Sequence, residues 1–305
     1  MTGSRHRFSD LTIESDRVLE ELPVSTADAD VSVRHWPAGP LWPRVAFAEW
    51  TMPDGSPWVS FSETPDGYCL TFTTLAQAHI SRDGAHVSIQ PGPDAPDDTV
   101  RHLLLNQVLP LALARRGRLV LHAAAVSWQG KVAAFLGRSG TGKSTLAAAC
   151  ALAGAHVVSD DCLVVRQTGV MGGWEAVPCE AGVRLWPDAI EHLGCSFEAT
   201  SALAHYTRKR RIGTDASPFV FESRPLPLTQ LFYLTHDVGH GGPLSGQRAV
   251  MALASELFRL DVRDVAESRA QFDAIVALAR GVPLAMLSRA TLETDVADVR
   301  SALWD

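Results

Sequence analysis

The sequence predicts an α/β domain preceded by a smaller β-rich module. Three observations carry that prediction. After Gly117, strand-like apolar runs alternate with helical ones, a glycine-rich loop joins one such strand to one such helix, and before residue 98 the apolar runs are short and broken by Pro, Gly and Asp. The 305 residues, 46% hydrophobic and 20% charged, are a globular mixture of a size that makes one large domain or two ordinary ones.

In chain order, the module comes first. From Leu11 to about Gln90 the segments "VSVRHWP", "RVAFAEW", "GYCLTFT" and "AHVSIQPG" read as short strands. The segment "PGPDAPDD", Pro91 to Asp98, is the expected linker, because Pro and Asp crowd it and nothing apolar anchors it. The expected division is therefore 1–98 for the module and 99–305 for the α/β domain. A helix follows in "TVRHLLLNQVLPLALARRG": Leu104, Leu105, Val108, Leu111 and Ala112 recur at helical spacing, Pro110 bends it and Gly117 stops it. Strands are then expected near Leu119–Val126, Val132–Leu136, His156–Ser159, Leu231–Leu234 and Pro283–Leu287. Helices are expected at Ser144–Ala153, Gln247–Leu260 and Glu267–Arg280.

The loop "GRSGTGKS" fits G-x-x-x-x-G-K-[ST], with Gly137, Gly142, Lys143 and Ser144 in the required places between the strand "VAAFL" and the helix "STLAAACALA". Its glycines let backbone N–H groups turn inward around phosphate oxygens, and the helix start adds its positive end. Gly137, Arg138, Ser139, Gly140, Thr141, Gly142, Lys143, Ser144 and Thr145 are accordingly expected to hold a nucleotide, with Lys143 on the β/γ-phosphates and the Ser144 hydroxyl on Mg²⁺. One helix later the strand "AHVVS" closes on Asp160 and Asp161. If that strand runs parallel to "VAAFL", both end at one sheet edge, and the two aspartates face the loop. One carboxylate can then hold Mg²⁺ while the other accepts a proton; the bland alternative is an acidic turn.

His122 precedes the loop. Pairing Val126 with Val132 would set it opposite Leu136, and a two-residue Gln129-Gly130 turn would set it opposite Gly137. A histidine there can orient an aspartate or carry a proton. Arg184 and the run Arg208, Lys209, Arg210, Arg211 are further candidates for the phosphate pocket, with Arg210 or Arg211 the expected contact to the transferred group; such runs also occur as solvated faces. His236 and His240 stand four apart in "HDVGH", whose glycine makes a loop the expectation. His192 and Cys195 have no matching zinc-ligand pair nearby.

The net charge of -7 argues against a nucleic-acid binder, which needs a clustered basic surface. The start has no apolar run of secretory type and no apolar stretch is long enough for a bilayer, so no membrane is expected. Five cysteines without a CxxC pair suit reduced thiols, and a cytoplasmic protein is expected.

The His122 strand, "GRSGTGKST" and "VVSDDCLVV" resemble the HPr kinase/phosphorylase family and its structural cousins, the ATP-dependent phosphoenolpyruvate carboxykinases. Weaker similarity continues through "CEAGVRLWPDAI" and "YTRKRRIG". The segments "TIESDRVLEELP", "LLLNQVLPLALARRGRLVLHAAAV" and "RLWPD" look like HPr-kinase-related proteins of biosynthetic gene clusters, among them lasso-peptide tailoring kinases. The resemblance implies a P-loop kinase domain of the HPr kinase/PEP carboxykinase type. It implies phosphorylation of a serine hydroxyl, with Asp160 as base and Asp161 as metal ligand. Together with the residues read above, the expected catalytic set is Asp160, His122, Lys143, Arg210 and Arg211, with Ser144 and Asp161 on the metal. The glycine-rich signature that the bifunctional HPr enzymes carry after the acidic pair is not recognisable in "PCEAGVRLWPDAI".

The leading expectation is an ATP- and Mg²⁺-dependent serine kinase acting on a peptide or protein, with a ribosomally made lasso-type precursor as the example. Homo-oligomers are compatible with it. A small-molecule kinase of the same fold and a nucleotide-binding regulatory module without transfer activity are the alternatives. An acidic pair beside the loop favours catalysis, since a binding module needs no base there.

Overall fold

The computed structural model describes residues 3–52, 55–169, 172–215, 217–236, 241–289 and 291–304. The protein is a mixed α/β chain that divides into two units, Met1–Gly117 with Ala202–Arg208, and Arg118–Ser201 with Lys209–Asp305.

The first unit opens with β1 (Ser4–Phe8), β2 (Leu11–Ser15), β3 (Val31–His35), β4 (Ala46–Thr51), β5 (Pro57–Thr64), β6 (Gly67–Phe72), β7 (Ala76–Ser81) and β8 (His86–Pro91). They form one sheet in the order β1-β2-β3-β8-β7-β6-β5-β4. Strand alternation buries Ile13, Val33, Leu70, Phe72, Ile80 and Ile89. A continuous helical run follows: α1 (Asp97–Leu103), a π-helical turn (Leu104–Val108) and α2 (Leu109–Arg115). Pro110 supplies no N–H to the carbonyl four residues earlier, and the widened turn lies where that bond would fall.

This helical run belongs to the first unit, so the division falls at Gly117 and not near residue 98. Specific contacts tie it there. Arg101 Nε donates to Glu21 Oε1 at 2.6 Å, Arg115 Nη2 donates to the Arg82 carbonyl at 2.8 Å, and the His205 N–H donates to Thr99 Oγ1 at 3.0 Å.

The second unit begins with β9 (Leu119–Leu121), β10 (Ala124–Trp128), β11 (Lys131–Leu136), α3 (Lys143–Leu152), β12 (His156–Ser159), β13 (Leu163–Gln167), β14 (Trp174–Val177), β15 (Val183–Leu185) and α4 (Pro187–His192). The short β16 (Ser201–Ala202) stands where the chain leaves this unit. On its return come β17 (Arg210–Ile212), β18 (Val220–Phe221), β19 (Leu226–Thr235), β20 (Gly242–Leu244), α5 (Gly246–Ser255), α6 (Val265–Gly281), β21 (Leu284–Ser288) and α7 (Leu292–Trp304). The main sheet runs β18-β12-β10-β11-β19-β14-β13-β9, with β21 also beside β19 and β20 beside β21.

Direction matters most for the site. β10 is antiparallel to both β11 and β12, so β11 and β12 run the same way with β10 between them. The segments that follow them, from Gly137 and from Asp160, therefore emerge at one sheet edge. Alternation along the central strands separates two cores. Leu136, Leu231 and Leu284 pack on one face with Leu253, Ile275 and Leu278 of α5 and α6, and Phe135, Phe232 and Leu287 pack on the other with Leu146 of α3 and Val299 of α7.

The stretch expected as one strand over Leu119–Val126 is two. β9 pairs with β13, whereas β10 pairs with β11 and β12, and the change of partner falls at His122-Ala123. α5 ends at Ser255, short of Leu260, because Leu257 is drawn into a β-bridge with Leu121. No helix among the described residues is long and apolar enough to cross a membrane.

Candidate active site

Gly137 leaves the buried end of β11, and the chain then turns through six residues into α3. Gly137, Gly140 and Gly142 have φ of 133°, 86° and 88°, values that side chains other than glycine rarely tolerate. At Gly137 a Cβ would also stand 2.8 Å from the Leu234 carbonyl oxygen. Arg138, Ser139 and Gly140 are exposed while Thr141 is buried, its hydroxyl donating to the Arg138 carbonyl at 2.8 Å. The Lys143 ammonium folds back into the loop and donates to the Gly137 carbonyl at 2.5 Å. Burial pushes its pKa down against the pull of Asp161, Glu256 and Asp160. Thr145 follows on the first turn of α3, half-buried.

Arg289, after β21, supports this loop from outside. Its Nη1 donates to the Thr141 and Gly142 carbonyls at 3.1 and 3.3 Å, and its Nε pairs with the buried Asp295 of α7 at 2.5 Å. Nothing in the sequence marked this arginine, since a lone Arg after a strand carries no motif.

The acidic pair lies across from the helix start. Ser144 Oγ donates to Asp160 Oδ1 at 2.7 Å, and the Arg184 N–H donates to Asp160 Oδ2 at 2.8 Å. Asp160 is 2% exposed; burial, then the Asp161 charge, push its pKa up to about 6, although Arg184 and Ser144 pull the other way. Asp161 takes a left-handed backbone, φ 65°, a conformation that aspartate tolerates better than most residues. Its Oδ1 lies 3.5 Å from His122 Nε2 and its Oδ2 3.8 Å from Arg184 Nε. Burial opposes its charge, but His122, Lys209 and Arg184 outweigh burial and hold the carboxyl well below the usual range. Ser159 Oγ donates to the Cys162 carbonyl and closes the turn around the pair.

The hairpin joining β10 to β11 has the two-residue turn: Trp128 pairs with Lys131 and Ala124 with Phe135, and both Gln129 and Gly130 have positive φ. His122 does not continue that ladder to Gly137. Its N–H is taken by the Glu256 carbonyl at 2.7 Å, and its ring reaches the site through Asp161 instead.

Arg184 is fully buried and engaged by the acidic cluster, with Nη2 on Glu180 Oε2 at 2.5 Å and Nη1 on the Asp160 backbone carbonyl at 3.0 Å. Held among three carboxylates, Asp160, Asp161 and Glu180, it does not point to a phosphate in solvent. Arg211 joins the same network, donating from Nε to Glu180 Oε1 at 3.0 Å and from Nη2 to the Ala181 carbonyl at 2.7 Å. Arg210, one residue earlier on β17, takes the opposite face. Its Nε donates to Thr200 Oγ1, and its guanidinium lies 4.3 Å from the Phe197 ring centroid. The expectation that Arg210 faces the phosphate pocket thus fails on strand alternation. Lys209 shares the Arg211 side of the run: its ammonium lies 5.9 Å from the Trp186 ring centroid, and its charge lowers the pKa of both aspartates.

Asp237 to His240, and with them half of the His236/His240 pair, lie outside the described residues. Among the described residues no three His, Cys, Asp or Glu side chains cluster to hold a metal ion. Mg²⁺ needs no such cluster, because it retains waters and substrate phosphates beside one or two protein oxygens. The Ser144 hydroxyl and Asp160 carboxylate, hard oxygens in contact, suit that mode of binding.

No family model matches the chain, and no curated protein matches it. Among solved structures, the Hpr(Ser) kinase/phosphatase from Coxiella burnetii is similar over 60% of this chain and 96% of that one, at 14% identity and a TM-score of 0.33. So low a score adds no weight to any assignment of the site.

Proposed function

We propose that the second unit is an ATP- and Mg²⁺-dependent kinase that transfers the γ-phosphoryl group to a serine hydroxyl of a peptide or protein. One observation carries the reading: the Ser144–Asp160 hydrogen bond joins the glycine-rich loop to the acidic pair, with Asp161 and His122 beside it. The loop's N–H groups and Lys143 would cradle the nucleotide phosphates, and Mg²⁺ would supply charge neutralisation at the oxygens of the transferred group.

The two aspartates do different work. The family resemblance gives the base role to Asp160 and the metal role to Asp161; the contacts favour the exchange. Asp160 already shares a hydrogen bond with the hydroxyl that would ligate Mg²⁺, and both its oxygens are engaged in a buried setting. Asp161 is the partly open member, with 20% of its side chain exposed. It is kept ionised by its neighbours and is oriented by His122. It accepts the serine proton as the hydroxyl oxygen bonds to the γ-phosphorus and the bond from that phosphorus to the leaving diphosphate oxygen breaks; the products are phosphoserine, ADP and a proton. In a loose transition state the base mainly aims the hydroxyl. Arg184, Glu180 and Arg211 hold the pair in place, and Lys209 contributes positive charge nearby.

The test is a paired titration with Mg·ATP. Asp160→Asn should weaken Mg²⁺-dependent nucleotide binding, and Asp161→Asn should bind normally and fail at transfer. The reverse pattern would restore the roles that the resemblance implies. Near-normal transfer in both would reduce the pair to an acidic turn and remove the kinase reading.

A further inference from the structure

We propose that Glu256 is a positioning residue that holds the His122 ring against Asp161, making an ordered row of Asp161, His122 and Glu256. Its kinetic consequence rests on the kinase reading above; the row itself does not. The backbone sets the two residues opposite each other. Leu121 and Leu257 form an antiparallel bridge, the His122 N–H donates to the Glu256 carbonyl at 2.7 Å, and the Phe258 N–H donates to the Val120 carbonyl at 3.1 Å. In that register His122 and Glu256 are direct cross-strand neighbours, whose side chains project to the same side. Glu256 Oε2 lies 3.6 Å from His122 Nδ1, while Nε2 on the other side of the ring lies 3.5 Å from Asp161.

Three features distinguish this from a chance contact. Glu256 is 5% exposed, so its carboxylate has given up most of its water, and a buried charge persists only where partners compensate it. Its other oxygen is engaged by the Ser255 hydroxyl at 3.3 Å. The Phe258 ring stands edge-on to the imidazole at 6.3 Å between centroids and limits its rotation. With an acceptor at each nitrogen, the ring cannot turn without losing both contacts. His122 thus reaches Asp161 in one orientation, although it sits at a break between two strands and not inside either.

The experiment is a double-mutant cycle on the full chain with E256A, H122A and the pair, measuring kcat, KM for ATP and folded fraction. E256A should lower kcat by ~10–100-fold, the size of effect seen when the carboxylate that orients a metal-bound histidine is removed, with KM for ATP nearly unchanged. In the H122A background the same change should have no further effect. An equal drop in both backgrounds, or an unchanged kcat, overturns the proposal. If E256A does not fold, the isosteric E256Q carries the same cycle. A second readout needs no turnover. In uniformly ¹⁵N-labelled protein without nucleotide, the His122 ring signals should move in E256Q while the backbone signals of residues 137–144 stay. Movement in a protein that shows no phosphoryl transfer would keep the row and remove the kinase reading. Transfer with unmoved ring signals would do the opposite.

Discussion

Lys143 shows how a single side chain can be read before its ligand is seen. Its ammonium is buried and closes on the loop's own carbonyls, so removing it should open the phosphate cradle without emptying a hydrophobic core. Lys143→Ala is expected to remain folded and to lose transfer; circular dichroism and turnover with Mg²⁺ check the two halves of that statement, and unchanged turnover would contradict it. Arg184 should behave in the contrary way. Its guanidinium sits among Asp160, Asp161 and Glu180, and deleting one partner of a buried ionic cluster leaves uncompensated charge. Arg184→Met should cost ~3–5 kcal/mol of stability in urea unfolding. At this scale the motif residues were legible from sequence, because spacing alone singles out Lys143, Ser144 and the aspartates. Arg184's burial, the turning of Arg210 toward Phe197, and Glu256 and Arg289 were not legible, since each depends on a partner distant in the chain.

At the scale of elements, the strand–loop–helix around Gly137 was plain because apolar pattern, glycines and helix start agree locally. The break between β9 and β10 was hidden inside "LVLHAAAV", whose strand-like pattern on both sides of His122, with no Gly or Pro between, does not reveal that its two halves pair with different strands. α7 went unread although Leu292, Val296, Val299 and Leu303 recur at helical spacing. That helix carries Asp295 and so holds Arg289 against the loop. Gly137→Ala is expected to destabilise the loop by ~1–3 kcal/mol, since it forces a positive φ on a residue with a Cβ beside the Leu234 carbonyl. Hydrogen exchange should show the opening confined to the loop and the adjoining ends of β11 and β19.

The whole molecule separates a sheet-rich unit from one that carries every member of the candidate site. The chain leaves the second unit after Ser201 and re-enters at Lys209, just before the run that supplies Arg211 to the acidic network. The central claim is phosphoryl transfer from Mg·ATP to a peptide serine. Its most direct measurement incubates the full chain and Mg·ATP with a serine-containing candidate precursor peptide, its serine-to-alanine variant and a panel of small hydroxylated metabolites. Phosphate gain is read by mass, and Asp161→Asn enzyme serves as the control. The account predicts one phosphate on the serine peptide, none on the alanine variant, and loss of transfer by ~10²–10⁴-fold with Asp161→Asn. Phosphate on metabolites and on no peptide, or nucleotide bound with no hydroxyl phosphorylated at all, would contradict it.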